Sequence, residues 1–211
     1  MRRIIIHPKS LTTVNALSKK MQAFTTPKEN ENFMNVVDDL TQRNEAFVNS
    51  DFDVNLKIMP SLKTVIIGCV DPRVDPANIF GLKPGEAAVI RNVGGRINPA
   101  TLQNMAIVRS VAVAEGKDVG PGWNLIVLHH TDCGITPCLA HAPGLLAKNL
   151  GVEVAELDNL AIADPYAAVA LDVAALKANP QLPGGFLVTG MVYDVATGKV
   201  ETVVPSALLR P

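Results

Sequence analysis

Two short segments of the chain carry side chains that can bind a metal ion. Residues 69–73 have the sequence CVDPR and residues 130–133 have the sequence HTDC, and each segment follows an apolar run. Together they offer the thiolates of Cys69 and Cys133 and the imidazole of His130. These ligands suit zinc, whereas magnesium or calcium would require oxygen. A structural zinc site is usually closed by four such ligands, so three leave one position for water. The pattern therefore predicts a zinc enzyme.

Asp71 and Arg73 determine whether that fourth position stays open. Asp71 lies two residues after Cys69, so its carboxylate is either a fourth zinc ligand or an acceptor for a metal-bound water. An arginine can hold a carboxylate through two parallel hydrogen bonds, which would keep Asp71 ionised and away from the metal. We expect Asp71 and Arg73 to act in catalysis, with Asp71 as a possible fourth ligand in a closed state.

The two segments need a scaffold that brings them together, and the apolar runs predict one. Four of these runs are short and continuous: 64–67, 87–90, 125–128 and 186–192. Such runs are typical of strands buried on both faces of a parallel sheet. In an open parallel sheet, ligands gather beyond the carboxyl ends of the strands, which is where both segments lie. Their long separation in sequence is then no obstacle to a shared metal site.

Helix signals stand between the predicted strands. An Asn-Pro pair at position 98 and an Asp-Pro pair at position 164 each supply an N-cap and a first-turn proline. They predict helices over 100–115 and 166–178. Strands that alternate with helices indicate an α/β fold, with a mainly parallel four-stranded sheet flanked by helices. A final turn leads into residues 200–204, which we predict to be a terminal antiparallel edge strand.

The N-terminal part of the chain differs from this core. Apolar residues recur at helical spacing over residues 32–47, which predicts a helix there. We expect residues 1–60 to form an N-terminal arm that is helical in part. Residues 61–211 would then form the zinc-binding α/β catalytic core, within one domain overall.

Composition narrows the function further. Hydrophobic residues make up 48% of the 211 residues and charged residues 18%, a balance that favours burial between subunits and hence a homo-oligomer. The net charge of -1 comes without a basic stripe, so no nucleic-acid partner is expected and the substrate should be a small molecule. No apolar run approaches the roughly 18 residues of a membrane span, so no membrane partner is expected.

The cysteines and the first residues bear on the compartment. Three cysteines are an odd number and do not form the framework of a disulfide-rich secreted protein, so a reducing, cytoplasmic location is expected. Residues 1–28 contain several Lys and Arg residues and no acid. This mildly resembles a transit peptide, which would make a mitochondrial location possible, but a basic arm of the mature protein is the simpler interpretation.

The two segments resemble the Cys-x-Asp-x-Arg and His-x-x-Cys motifs of the β-class carbonic anhydrases. Three further stretches, at 80–86, 89–95 and 192–198, resemble the same family in the same order. The resemblance therefore covers residues 64–204. Agreement of so many ordered segments is improbable by accident.

The resemblance implies a function and a site. Cys69, His130 and Cys133 would be the zinc ligands, and Asp71 with Arg73 would be the catalytic dyad. The reaction would be the reversible hydration of carbon dioxide to bicarbonate by a zinc-bound hydroxide. Family members are obligate dimers with an N-terminal helical arm that crosses the partner, which implies a homodimer or a higher homo-oligomer.

Some residues around the motifs depart from the family pattern. Ser is common where Val70 and Pro72 stand, but neither position is a ligand. Gly is frequent where His129 precedes the ligand histidine, and the stretch Asn92-Val93-Gly94-Gly95 differs from the commoner Asn-Ala-Gly-Asn or Asn-Val-Ala-Asn. These changes resemble a subgroup that includes carbonyl sulfide hydrolases. Carbonyl sulfide hydrolysis at the same zinc site is therefore the alternative activity.

Other interpretations remain open at this level. A non-catalytic, zinc-dependent binding module would have Asp71 as a permanent ligand. We expect His129 to be a packed, hydrogen-bonded histidine, because a strand would point its side chain away from that of His130. Gly94 and Gly95 either hold an anion with their backbone amides or allow close backbone packing. Asn92 and these glycines would set the width and polarity of the pocket.

Overall fold

The computed structural model describes residues 35–210. The chain forms two compact units. The first unit, which ends at Val54, contains helix α1 (Val36–Ser50). Asn35 caps this helix by accepting a hydrogen bond from the backbone N–H of Val37 at 3.1 Å. The helix therefore begins later than the predicted 32–47, and it also ends later, at Ser50. The basic segment 1–28 lies outside the described residues, and the boundary of the arm at residue 60 stays a prediction.

The second unit is built on a five-stranded sheet. Its strand order is β2-β1-β3-β4-β5; the first four strands are parallel and β5 pairs antiparallel with β4. This topology confirms the predicted mainly parallel sheet with an antiparallel edge strand. The strands are β1 (Thr64–Cys69), β2 (Ala87–Asn92), β3 (Asn124–His130), β4 (Leu187–Asp194) and β5 (Lys199–Leu208).

Two helices of this unit start where the capping signals predict. Asn98 accepts a hydrogen bond from the N–H of Thr101 at the start of α3, and Asp164 caps α6 in the same way. The α-helices are α2 (Pro76–Phe80), α3 (Pro99–Ala114), α4 (Cys138–His141), α5 (Pro143–Leu150) and α6 (Pro165–Ala178), and three 3-10 helices span Pro72–Val74, Val93–Gly95 and Val154–Leu160.

No single helix within residues 35–210 is long and apolar enough to cross a membrane. The 3-10 helix Val154–Leu160 and α6 reach that length and composition only as a pair bent by 107°.

The strands differ in how deeply their residues are buried. All six residues of β1 are buried, and so are most of those in β3. The prediction that every run is buried on both faces is wrong for β2, whose residues are only partly buried or exposed because it lies at the edge of the sheet. It is also wrong for β4, in which buried residues alternate with partly buried or exposed ones. The register between β1 and β3 aligns Gly68 with Leu128, so the carboxyl ends of these two strands lie side by side.

Candidate metal centre

The structure brings the three predicted ligands together at the carboxyl ends of β1 and β3. Cys69 is the last residue of β1 and His130 is the last residue of β3, and the chain turns after His130 to return Cys133 toward both. The ligand atoms of these residues lie within 4.8 Å of one another, and the two sulfur atoms are 3.9 Å apart. This is a compact set of donors that could hold one metal ion.

The ring of His130 is oriented as a metal ligand requires. Its Nδ1 lies 2.9 Å from the carbonyl oxygen of Thr131, and since a carbonyl only accepts, the proton of the neutral ring must lie on Nδ1. Nε2 then carries the lone pair. Among the described residues, Nε2 of His130 is the one buried side-chain nitrogen or oxygen without a hydrogen-bond partner. A metal ion would satisfy this atom, so the residues present fit the group.

The two sulfur atoms lie within hydrogen-bonding distance of each other. The hydrogen bond with Cys133 lowers the pKa of the Cys69 thiol, and the contact with His130 lowers it further. The same bond raises the pKa of the Cys133 thiol. One thiolate is therefore already favoured, and a divalent cation would displace the remaining proton because metals bind the thiolate form.

Arg73 binds the carboxylate of Asp71 through bidentate hydrogen bonds, as the sequence suggested. Its Nε and Nη2 donate to the Asp71 carboxylate at 3.1 and 2.7 Å, and its backbone N–H donates to Oδ1 at 2.9 Å. These hydrogen bonds from Arg73 lower the pKa of Asp71 to about 2. The carboxylate oxygens of Asp71 are not among the clustered ligand atoms. Asp71 is therefore ionised and committed to Arg73 in this geometry.

Arg73 has a second partner that the sequence analysis missed. Its Nη1 donates to Oδ2 of Asp132 at 2.8 Å and its Nη2 donates to the backbone carbonyl of Asp132 at 2.9 Å. Asp132 lies between His130 and Cys133, with a φ of 53° in the left-handed region. The only available signal was an acid placed between two predicted ligands.

Arg91 fixes the backbone of the first segment. Its Nε donates to the carbonyl oxygen of Cys69 at 2.8 Å, and its Nη2 donates to that of Asp71 at 2.7 Å. The remaining amino group donates to the Asp75 carboxylate at 3.0 Å. Because one guanidinium spans both carbonyls, Cys69 and Asp71 are held in a fixed relation to each other.

The Gly94-Gly95 turn packs directly against the metal-binding strands. A Cβ atom on Gly95 would lie 3.1 Å from the backbone of Cys69, Gly68 and Leu128, and the φ of Gly95 is +67°. Close backbone packing therefore accounts for this glycine.

Asn92, which we expected to shape the pocket, supports this turn instead. Its side chain accepts from the N–H of Arg96 at 2.9 Å and donates to Arg96 O and Thr101 Oγ1, each at 2.7 Å. Neither Asn92 nor Gly95 is among the residues that line the cavity beside the metal centre, whereas Gly94 is, so that expectation is wrong for Asn92 and Gly95.

A buried ionic network lies behind the centre. Arg96 donates to Asp172 through Nε and Nη2 at 2.8 and 3.2 Å, and Nε2 of His129 lies 3.1 Å from the same carboxylate. All three side chains are at most 7% exposed. His129 is thus a packed, hydrogen-bonded histidine, as expected. It nevertheless lines the same cavity as His130.

Helical spacing could have identified Asp172. The buried residues of α6 are Ala168, Val169, Asp172, Val173 and Leu176. An acid within such an apolar stripe must have a buried partner, since an unpaired charge there would be strongly unfavourable. The sequence pattern did not identify Arg96 as that partner.

A cavity of about 520 Å³ opens beside the metal centre. Its wall includes both members of the Asp71–Arg73 pair together with several small or apolar side chains. The wall is formed by Asp71, Arg73, Gly94, Arg96, His129, His130, Asp132, Cys133, Gly134, Ile135, Thr136, Pro137, Ile162, Ala163, Pro165 and Ala168.

Known proteins are similar to this chain in sequence and in fold. A family model described as "Carbonic anhydrase" matches residues 64–161. Beta-carbonic anhydrase 1 of Mycobacterium tuberculosis is 30% identical over 173 residues, covering 82% of this chain and 100% of that protein. The crystal structure of carbonic anhydrase from Streptococcus mutans has 31% identity and a TM-score of 0.64, covering 82% of this chain and 99% of that one. A tetrameric β-carbonic anhydrase from Sordaria macrospora, at 17% identity, shares the fold with a TM-score of 0.57 over 92% of this chain and 99% of that one.

Proposed function

Because the chain belongs to the β-class carbonic anhydrase family, we propose that it catalyses the reversible hydration of carbon dioxide to bicarbonate. The observation that carries the proposal is the convergence of Cys69, His130 and Cys133 beside a carboxylate that Arg73 holds apart from them. Three protein ligands leave one position for water, which is the arrangement of catalytic zinc sites. The family relationship and the fourth coordination position left for water both support a hydration reaction.

We propose zinc as the cofactor, bound by the three converged side chains. The unpartnered Nε2 of His130 and the thiol pair of Cys69 and Cys133 support this assignment. When bound, zinc lowers the pKa of a coordinated water to about 7 and so makes a hydroxide nucleophile available at neutral pH. The residues around the metal then have to orient that nucleophile and admit the substrate.

Asp71 orients the nucleophile but does not carry its proton away. Since Arg73 lowers the pKa of Asp71 to about 2, the carboxylate stays ionised at neutral pH and can only accept hydrogen bonds. A group with so low a pKa is a poor proton acceptor. An acceptor held at one place fixes the hydrogen of the nucleophile, and the lone pair can then face the carbon of the substrate.

Carbonyl sulfide is the alternative substrate, because His129 and the stretch Asn92-Val93-Gly94-Gly95 resemble the subgroup that includes carbonyl sulfide hydrolases. Zinc-loaded protein should be assayed in parallel on carbon dioxide, by stopped-flow detection of released protons, and on carbonyl sulfide, by release of hydrogen sulfide. We expect carbon dioxide hydration to have the larger kcat/KM. A kcat/KM for carbonyl sulfide that greatly exceeds the one for carbon dioxide would reverse this assignment. No turnover of either substrate would favour a binding module.

We further propose that the protein works as a homodimer or a higher homo-oligomer in a reducing compartment. The low charged fraction supports burial between subunits, and the β-carbonic anhydrase of Sordaria macrospora that shares this fold is a tetramer. Cys69, Cys133 and Cys138 are all free thiols, which supports the reducing compartment.

A further inference from the structure

Arg73 is the cationic side chain that an anion entering the cavity would meet. Two arginines line the wall, and one of them, Arg96, is 3% exposed and paired with Asp172. The side chain of Arg73 is 48% exposed. A guanidinium binds planar oxyanions through two parallel hydrogen bonds, so an available Arg73 would be an anion site beside the metal centre.

Both hydrogen-bonding edges of Arg73 are already occupied. The edge formed by Nε and Nη2 binds the carboxylate of Asp71 at 3.1 and 2.7 Å. The edge formed by Nη1 and Nη2 binds Oδ2 of Asp132 at 2.8 Å and the carbonyl oxygen of Asp132 at 2.9 Å. Neither edge remains available for a bidentate bond to an oxyanion.

The position of Asp132 has little value for stability. Its side chain is 76% exposed, and ion pairs with such exposure contribute little to folding. Its backbone adopts a φ of 53°, a left-handed conformation that Asp and Asn adopt more readily than most residues other than glycine. An exposed acid between His130 and Cys133 whose ion pair adds little to folding is better explained by the site than by the fold.

We propose that Asp132 is a specificity-determining residue that disfavours anions in the cavity by occupying the second edge of Arg73. Two carboxylates then surround one guanidinium, so this part of the wall carries a net negative charge. Carbon dioxide and carbonyl sulfide are neutral and enter without a charge penalty, whereas bicarbonate and inorganic anions are repelled. The proposal rests on the proposed function, since it implies that the anionic product leaves easily while the neutral substrate is admitted.

Replacing Asp132 with Asn in the zinc-loaded, full-length protein tests this role. Asn adopts the left-handed conformation readily, so the turn should persist while the charge is removed. Chloride affinity, measured from the concentration dependence of the chloride NMR line width, should become about three- to tenfold tighter. Equal or weaker chloride binding by the variant would overturn the proposal. This readout does not depend on turnover, so it is separate from the failure of carbon dioxide hydration that would overturn the proposed function.

Asp118→Asn is the matched control for net charge. Asp118 binds Arg109 through two bonds of 2.9 Å, and it lies outside the wall of the cavity. We expect chloride affinity to stay at the wild-type value in this variant. An equal increase in Asp118→Asn and Asp132→Asn would contradict a local role for Asp132. Asp132→Gly, which also suits the left-handed turn, should show the same tighter binding if the Asn variant fails to fold.

Discussion

Replacing Asp71 with Asn should lower kcat/KM for carbon dioxide hydration about 100-fold while the protein keeps its zinc. An amide is uncharged and cannot match the two-bond grip of Arg73, whose Nε and Nη2 now bind the Asp71 carboxylate at 3.1 and 2.7 Å. The variant therefore loses both the fixed acceptor for the nucleophile and the geometry that places it. Zinc should remain because the Asp71 oxygens are not among the clustered ligand atoms. Stopped-flow kinetics and metal analysis measure the two quantities.

Asp118→Asn provides the control for this experiment as well. Asp118 and Arg109 form a bidentate pair of the same kind, with exposed side chains and no place in the cavity wall. We expect kcat/KM to change less than about twofold in this variant, because only a surface ion pair is lost. Asp71→Asn activity close to the wild-type value at full zinc occupancy would remove Asp71 from the mechanism.

Replacing Asp172 with Ala should lower the free energy of unfolding by about 3–5 kcal/mol, because it leaves Arg96 buried without its counter-ion. Arg96 is 3% exposed and donates two hydrogen bonds to Asp172. The backbone N–H of Ile97 and the ring of His129 also lose their acceptor. Urea unfolding monitored by circular dichroism measures the loss.

A double variant tests the mechanism of that loss. Arg96→Met combined with Asp172→Leu removes both charges and fills part of the space, so it should be less destabilised than Asp172→Ala alone. A loss below about 1 kcal/mol for Asp172→Ala would show that the network is not a buried ion pair.

The contribution of Asp172 to the stability of the wild-type protein should also depend on pH. Burial alone would raise the pKa of Asp172, but the hydrogen bond with His129 and the charge of Arg96 more than offset it and lower the pKa below 3.8. A carboxylate with a lowered pKa stabilises the fold fully above its unfolded pKa. The stabilisation is then lost as the pH falls through the folded value, so Asp172→Ala should weaken the acid dependence of unfolding.

The central strands and the helix starts could be predicted because their signals are local. Continuous apolar runs placed β1 and β3, and Asn-Pro and Asp-Pro pairs placed the starts of α3 and α6. Strand order is not a local property, so the edge position of β2 was not predicted. Its run is as apolar as those of the central strands, yet its residues are only partly buried or exposed because it has one neighbour.

The candidate ligands could be predicted because two thiolates and one imidazole at the ends of two predicted strands are enough to indicate a shared metal site. The supporting residues could not, since their partners are distant in sequence. Asp132 contacts Arg73 across 59 residues, and Arg96 contacts Asp172 across 76. Asn92 was predicted to shape the pocket and does not. Its polar side chain supports the turn before α3 and does not line the cavity.

Zinc titration of the chelator-treated protein tests most directly whether Cys69, His130 and Cys133 form the catalytic centre. The carbon dioxide hydration rate should rise in proportion to added zinc and reach a plateau at one zinc per chain, and Cys69→Ser should neither bind the metal nor gain activity. A hydration rate independent of zinc, or full activity in Cys69→Ser, would contradict the account.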